Sequence, residues 1–180
     1  MPIAPPLHRN WWDVPVGVHE KLWIGLVVAT GLGLFVMMPV WHVYGAQNSS
    51  ATSYRVNPDA YFEKVNRWVQ AAPQTDAGIK VTGTDVYLVA MRYAWFPTSA
   101  VLETGVPYKI HLSSKDVNHG FSIHRAGHPA QKANFQVVPG YQYVLEMTFK
   151  EPGTYNIVCQ EYCGIGHQAM VGKFEVQKGQ

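Results

Sequence analysis

The residues able to do chemistry gather in one stretch, Cys159-Gln160-Glu161-Tyr162-Cys163-Gly164-Ile165-Gly166-His167-Gln168-Ala169-Met170. It holds both cysteines of a 180-residue chain, then a histidine and a methionine, in the pattern C-x3-C-x3-H-x2-M. Thiolates with an imidazole select copper, zinc or iron–sulfur, and a thioether beside them leans toward copper. One Cys with His and Met suits a single copper ion. The second Cys leaves a spare thiolate, which two ions sharing bridging sulfurs would use. A disulfide between the pair stays open, but it leaves His167 and Met170 without a task. Tetrahedral zinc from Cys159, Cys163, His167 and one further histidine also stays open. Covalent haem attachment needs C-x-x-C-H, and the spacing here is different.

Together with the upstream run Asp116-Val117-Asn118-His119-Gly120-Phe121, the loop resembles the dinuclear copper (CuA) domain of subunit II of haem–copper cytochrome c oxidases. The short chain and single apolar segment resemble the B-type branch more than the two-helix A-type. The resemblance implies a mainly β, cupredoxin-like Greek-key sandwich or barrel behind one N-terminal transmembrane helix. It also implies a ligand set for two copper ions. Cys159 and Cys163 bridge, His119 and Met170 complete one ion, and His167 with the backbone carbonyl of Glu161 completes the other. Electrons would come from a soluble or membrane-bound cytochrome c, or another small redox donor. They would pass to haem in subunit I of a proton-translocating terminal oxidase, and this chain would have no catalytic site of its own.

Two further expectations come with the resemblance. Glu161 stands where the B-type pattern usually has glutamine. In A-type oxidases the corresponding carboxylate binds magnesium at the interface with subunit I, and hard oxygen ligation suits that ion. Tyr93 and Trp95, in Met91-Arg92-Tyr93-Ala94-Trp95-Phe96-Pro97, are expected at the surface where the donor hands over its electron; core packing is the competing reading.

Such a site needs rigid strands and one tight loop to hold it. Beyond Gln74 the hydrophobic period is two. Tyr141, Tyr143, Leu145, Met147 and Phe149 alternate with Gln142, Val144, Glu146 and Thr148, and Ile110 and Leu112 alternate with Lys109 and His111. Further strand-like runs span 79–91, 134–138, 154–158 and 172–177, separated by turns such as Pro139-Gly140 and Pro152-Gly153. Many short strands between turn signals make a sandwich or barrel. The 154–158 strand delivers Cys159 at its end, and His119 must arrive on another strand. Gly164 and Gly166 are expected to supply positive φ in the loop. His124 and His128 compete with His119 as ligands and are read as surface or interface residues, and His111 as solvent-facing.

Before the sandwich the sequence divides into an N-terminal segment (1–21), a transmembrane anchor (22–46) and a linker with a short amphipathic helix (47–75); the copper domain takes 76–180. Leu22 to Tyr44 contain no Asp, Glu, Lys or Arg, enough apolar length to span a bilayer. A cleaved signal peptide is the competing reading, and the length of the run favours a retained anchor. Trp11 and Trp12 on one side and Trp41 and Tyr44 on the other are placed like interfacial aromatics. Pro39 falls near the exit, where a kink is tolerated, and His42 snorkels at the helix end. Arg9 and Lys21 favour a cytoplasmic N-terminus; His8 and His19 precede the anchor and so lie away from the copper domain, which the resemblance puts outside the plasma membrane. Asn57-Pro58 starts a helix whose apolar face is Tyr61, Val65, Trp68, Val69 and Ala72, and Pro73 ends it. That face meets its own domain, the membrane surface or a partner subunit.

A formal charge of +2 gives no basic footprint for nucleic acid. From Gln47 onward ten acidic and twelve basic residues remain, so donor docking is expected to be largely apolar. There is no Ser–His–Asp context and no phosphate-cradling Gly-rich loop. Two other functions stay open beside the oxidase: the copper subunit of a haem–copper nitric oxide reductase, and a membrane-anchored copper carrier or assembly protein.

Overall fold

A computed structural model describes residues 15–44, 51–128 and 133–179. The expectations placed on His8, Arg9, Trp11 and Trp12, and on residues 47–50 of the linker, lie outside the described residues. The chain divides into two units, Met1–Gln47 and Asn48–Gln180.

Among its described residues the first unit has one helix, α1 (Val18–Tyr44), of 27 residues. At 1.5 Å per residue it is about 40 Å long, against roughly 30 Å of bilayer hydrocarbon. Its first turn is closed by Glu20, whose carboxylate accepts from the Gly17 N–H at 2.8 Å. The helix continues through Pro39 and buries none of its residues. An all-round apolar helix is what a membrane span requires, and α1 is long and apolar enough to cross one.

The second unit is a two-sheet sandwich. One sheet has β1 (Ala51–Arg55), β4 (Asp85–Met91), β5 (Ala94–Phe96), β7 (Pro107–Ser114) and β10 (Tyr141–Thr148), ordered β1-β10-β7-β4-β5. The other has β2 (Gln74–Thr75), β3 (Gly78–Lys80), β6 (Ser99–Glu103), β8 (His119–Arg125), β9 (Ala133–Val137), β11 (Gly153–Cys159) and β12 (Val171–Gln177), ordered β2-β3-β6-β12-β11-β8-β9. The pairs β4–β7, β3–β6 and β6–β12 are parallel, and the other pairs are antiparallel. Strands that cross between sheets in this way give the cupredoxin-like architecture. Trp95, Phe121, Phe149, Phe174, Leu112 and Ile157 fill the space between the sheets. Each contributes roughly 1.5–3 kcal/mol by leaving water, so the frame rests on apolar packing.

The stretch 47–75 is more than a linker. Residues 51–55 pair with β10 as an edge strand, and α2 (Pro58–Ala71) follows. Asn57 caps α2, its Oδ1 accepting from the N–H groups of Asp59 and Ala60 at 3.0 Å each. Pro58 takes the first helical position, where its missing N–H costs nothing. The apolar face of α2 meets its own domain: Tyr61 and Val65 are buried against Val89, with Tyr87, Met91 and Phe96 around them.

That cover overturns the expectation for His111. It is 9% exposed, because Tyr87 stacks on it at 4.5 Å and Trp68 of α2 meets Tyr87 edge-on at 5.4 Å. His111 Nε2 donates to Asp85 at 2.7 Å, and its Nδ1 accepts from the buried Gln142 amide at 2.7 Å. Burial holds the imidazole below its ordinary range, the Asp85 carboxylate opposing that only in part. The unfolded chain therefore binds a proton that the folded chain refuses. Stability from this group is complete above the unfolded value of about 6.5 and erodes as pH falls through it. Asp116 and Glu175, also held low, act only nearer pH 4. The thermal midpoint of the full chain should fall between pH 7.5 and pH 5.5, and the fall should shrink in His111→Asn. An unchanged pH slope in that variant would remove His111 as its cause.

Candidate metal centre

Strand register brings the donors together. β11 is antiparallel to both β8 and β12, so its C-terminal end meets the N-terminal ends of its two neighbours. Cys159 is the last residue of β11 and His119 the first of β8; Met170 immediately precedes β12. Cys159 N–H donates to the Met170 carbonyl at 3.2 Å, and Gln160 N–H to the Gly120 carbonyl at 3.0 Å. The loop between β11 and β12 then supplies Cys163 and, on a short 3-10 turn, His167.

Five side chains and one carbonyl converge there. The Sγ atoms of Cys159 and Cys163 are 3.9 Å apart and unbonded, beyond the roughly 2.05 Å of a disulfide. His119 Nδ1 lies 3.7 Å from Cys159 Sγ, His167 Nδ1 3.6 Å from Cys163 Sγ, and Met170 Sδ 3.9 Å from Cys163 Sγ. The carbonyl oxygen of Glu161 is 3.2 Å from Cys159 Sγ. His119, Cys159 and Cys163 form the described metal-capable cluster, their donor atoms within 4.8 Å of one another.

His119, Cys159, Cys163 and Met170 are buried; His167 is half-buried and closes the solvent side. Burial, then the neighbouring Cys159 sulfur, pushes the Cys163 thiol up to about 11. A thiolate forms there only with a cation beside it. Two thiols, two imidazoles and a thioether facing one point make a soft donor set that fits copper, and the thioether sets it apart from the zinc reading.

Asp116 fixes the orientation of His119. Nε2 of His119 donates to Asp116 Oδ1 at 2.8 Å, which leaves the Nδ1 lone pair facing the sulfurs. Burial raises the Asp116 carboxyl, but the hydrogen bonds from His119 and from the N–H groups of Arg92 and Val117 outweigh it and hold the group below its ordinary value. His124 lies five residues along β8, about 17 Å away at strand rise. His128 sits beside Arg125 instead. Neither joins the cluster.

The likeness to known proteins agrees with this geometry. Over 167 residues the chain is 29% identical to a cytochrome c oxidase subunit 2 of Thermus thermophilus, covering 89% of this chain and 92% of that one. A second cytochrome c oxidase subunit 2 from the same species is 34% identical over 93 residues, 52% of this chain and 65% of its own length. One chain of a solved heme-copper terminal oxidase dimer superposes with a TM-score of 0.58 at 25% identity, covering 88% of this chain and 99% of that one. Along most of its length, then, the chain is similar to subunit II of haem–copper oxidases. No protein-family model matches it.

Two expectations about the site need correction. Trp95 is 1% exposed and stands T-shaped against Phe121, 5.8 Å between ring centroids, so it is core beneath the loop and forms no surface. Gly164 has the positive φ expected of it, +132°, but Gly166 has φ −90° and needs no such freedom. The surface beside the site belongs instead to Tyr93, 38% exposed, and to Tyr162 and Ile165, 74% and 87% exposed. Nothing in the sequence marks the last two beyond their place in the loop. Gln136 on β9 carries no sequence signal either; its amide donates to the Glu161 carboxylate at 3.1 Å.

Replacing Asp116 by Ala leaves the buried Nε2 of His119 without an acceptor. Outer-shell losses of this kind cost about 10- to 100-fold in metal affinity. Copper titration of Asp116→Ala should show that loss with the fold retained, and an affinity equal to the parent would dismiss the role of Asp116.

Proposed function

We propose that the chain is the electron-input subunit of a terminal cytochrome c oxidase. It receives electrons one at a time from a cytochrome c-like donor and delivers them to haem in subunit I, where oxygen is reduced. The observation that carries the reading is the convergence of both cysteine sulfurs with two imidazoles, a thioether and the Glu161 carbonyl at one strand end. His119, Cys159, Cys163, His167, Met170 and that carbonyl would hold two copper ions. Bound there, a copper pair supplies one-electron redox chemistry with little change in bond length.

The residues of the chain do the rest. The strand ladder fixes Cys159, His119 and Met170 before any ion arrives, which keeps reorganisation small. Burial of four of the six ligands excludes water from the sulfurs. Asp116 holds one imidazole in the tautomer that offers Nδ1. Relatives bearing the name cytochrome c oxidase subunit 2 support this reading over a nitric oxide reductase subunit or a copper carrier.

The proposal extends to the setting. α1 anchors the chain in the plasma membrane with the N-terminus cytoplasmic and the copper domain outside, in contact with lipid and with subunit I. The half-buried Glu161 carboxylate, held by Gln136, supplies an oxygen to magnesium at the seam with subunit I; metal analysis of the assembled complex that finds no magnesium removes this part. The donor meets the exposed Tyr93, Tyr162, Ile165 and Val171 around the loop.

Two measurements test the reading. Coexpressed with a haem-bearing large subunit, the full chain should copurify with it and support oxygen uptake driven by reduced cytochrome c, and Cys163→Ser should abolish uptake while assembly persists. Uptake that survives Cys163→Ser would overturn the reading. Because the docking surface is apolar, raising salt from about 50 to about 200 mM should change turnover by less than about twofold. A steep fall would show that charge, and not this patch, guides the donor.

A further inference from the structure

We infer that Tyr93 is a positioning residue for the metal loop, and that the Arg92–Tyr93 turn between β4 and β5 braces both imidazoles at once. The inference rests on the reading of the loop as a metal centre and adds a residue that touches no ion.

A Cβ built on Gly166 would lie 2.5 Å from Tyr93 Cδ2 and 2.6 Å from Cγ, and one on Gly164 would lie 2.5 Å from Tyr93 Oη. The tyrosine ring therefore rests directly on the glycine backbone. At Gly164 two demands coincide, the ring and a φ of +132°. At Gly166 the backbone, φ −90° and ψ 10°, is open to any residue, so only the ring excludes a side chain. The glycines in turn hold the ligand turn: the Gly164 carbonyl accepts from His167 N–H at 3.1 Å, and the Gly166 carbonyl from Ala169 N–H at 3.0 Å. The ring presses on these two glycines, and the glycines fix where His167 presents Nδ1 to Cys163.

The neighbouring residue reaches the other imidazole. Arg92 N–H donates to Asp116 Oδ2 at 2.8 Å, and Asp116 Oδ1 accepts from His119 Nε2 at 2.8 Å. Two adjacent residues of one turn thus set His119 from β8 and His167 from the loop. A Tyr93 variant that slows electron transfer has consequently altered the centre itself as well as its surface.

The test is a double-mutant cycle on the full chain in detergent, reconstituted with copper(II) alone. The variants are Gly166→Ala, Tyr93→Ala, the double variant and Tyr93→Phe. The readouts are the thiolate-to-copper absorption bands, the rate of copper release to a chelator, and circular dichroism for folding. Gly166→Ala should shift the bands and speed release about tenfold, as outer-shell losses do. In the Tyr93→Ala background the same substitution should add less than about twofold, because the ring it collides with is gone. Tyr93→Phe, which keeps the ring, should behave as the parent.

Equal effects of Gly166→Ala in both backgrounds, or none in either, would overturn the inference. A Gly166→Ala chain that folds only when Tyr93 is also removed supports it, and one that folds in neither background counts against it. Amide exchange at His167 and Ala169 in the metal-free chain reads the same brace without copper. Both amides should exchange faster in Tyr93→Ala than in Tyr93→Phe. If the parent binds no copper, the functional reading fails by itself, and the exchange result still decides the role of Tyr93.

Discussion

Soft donors can share metal ions only if they are held close together, and out of water, before the ions arrive. Here that closeness follows from hydrogen-bond register. β11 runs antiparallel to the strand on each side of it, so one strand end and two strand starts fall at the same level of the sheet. Cys159, His119 and Met170 occupy those three positions. The loop needs only to fold back over them to add Cys163 and His167. A one-residue slip of β11 against β8 would turn Cys159 to the opposite face of the sheet and dismantle the site, whatever the loop did. The buried aromatic and aliphatic side chains between the sheets hold that register.

Much of this is readable in the residue pattern, for definite reasons. The donor spacing in the 159–170 loop is unusual enough to point to copper, because few other tasks use two thiols, an imidazole and a thioether so close together. Asn57-Pro58 and Pro73 bracket α2 because capping and proline chemistry are local. The alternation through 141–149 gives the correct inward residues at Leu145, Met147 and Phe149. Alternation misleads at Gln142 of β10 and His111 of β7, which are buried on the other face. Period two assumes that one face of a sheet is wet, and α2 covers that face here. The same locality explains the 51–55 segment, which reads as polar linker because its partner, β10, lies some ninety residues away.

Around the site, the departures from expectation share one cause. The family resemblance suggests an aromatic near copper for electron passage at Trp95, and residue type suggests a glycine for positive φ at Gly166. Their roles depend instead on what lies across from them. Trp95 faces Phe121 in the core, and Gly166 faces the ring of Tyr93. Neither partner is near in sequence, so no local pattern announces either contact. Tyr162 and Ile165 are exposed because the loop must turn outward to bring Cys163 and His167 inward.

In the proposed electron-input subunit, two sulfurs 3.9 Å apart would serve one shared pair of ions. The most direct measurement is electron paramagnetic resonance, with a metal count, on the copper-loaded full chain. The expected result is two copper ions per polypeptide and a hyperfine pattern from one unpaired electron spread equally over both nuclei. A single copper per chain with its electron on one nucleus, or a disulfide between Cys159 and Cys163 in the chain as isolated, would contradict it.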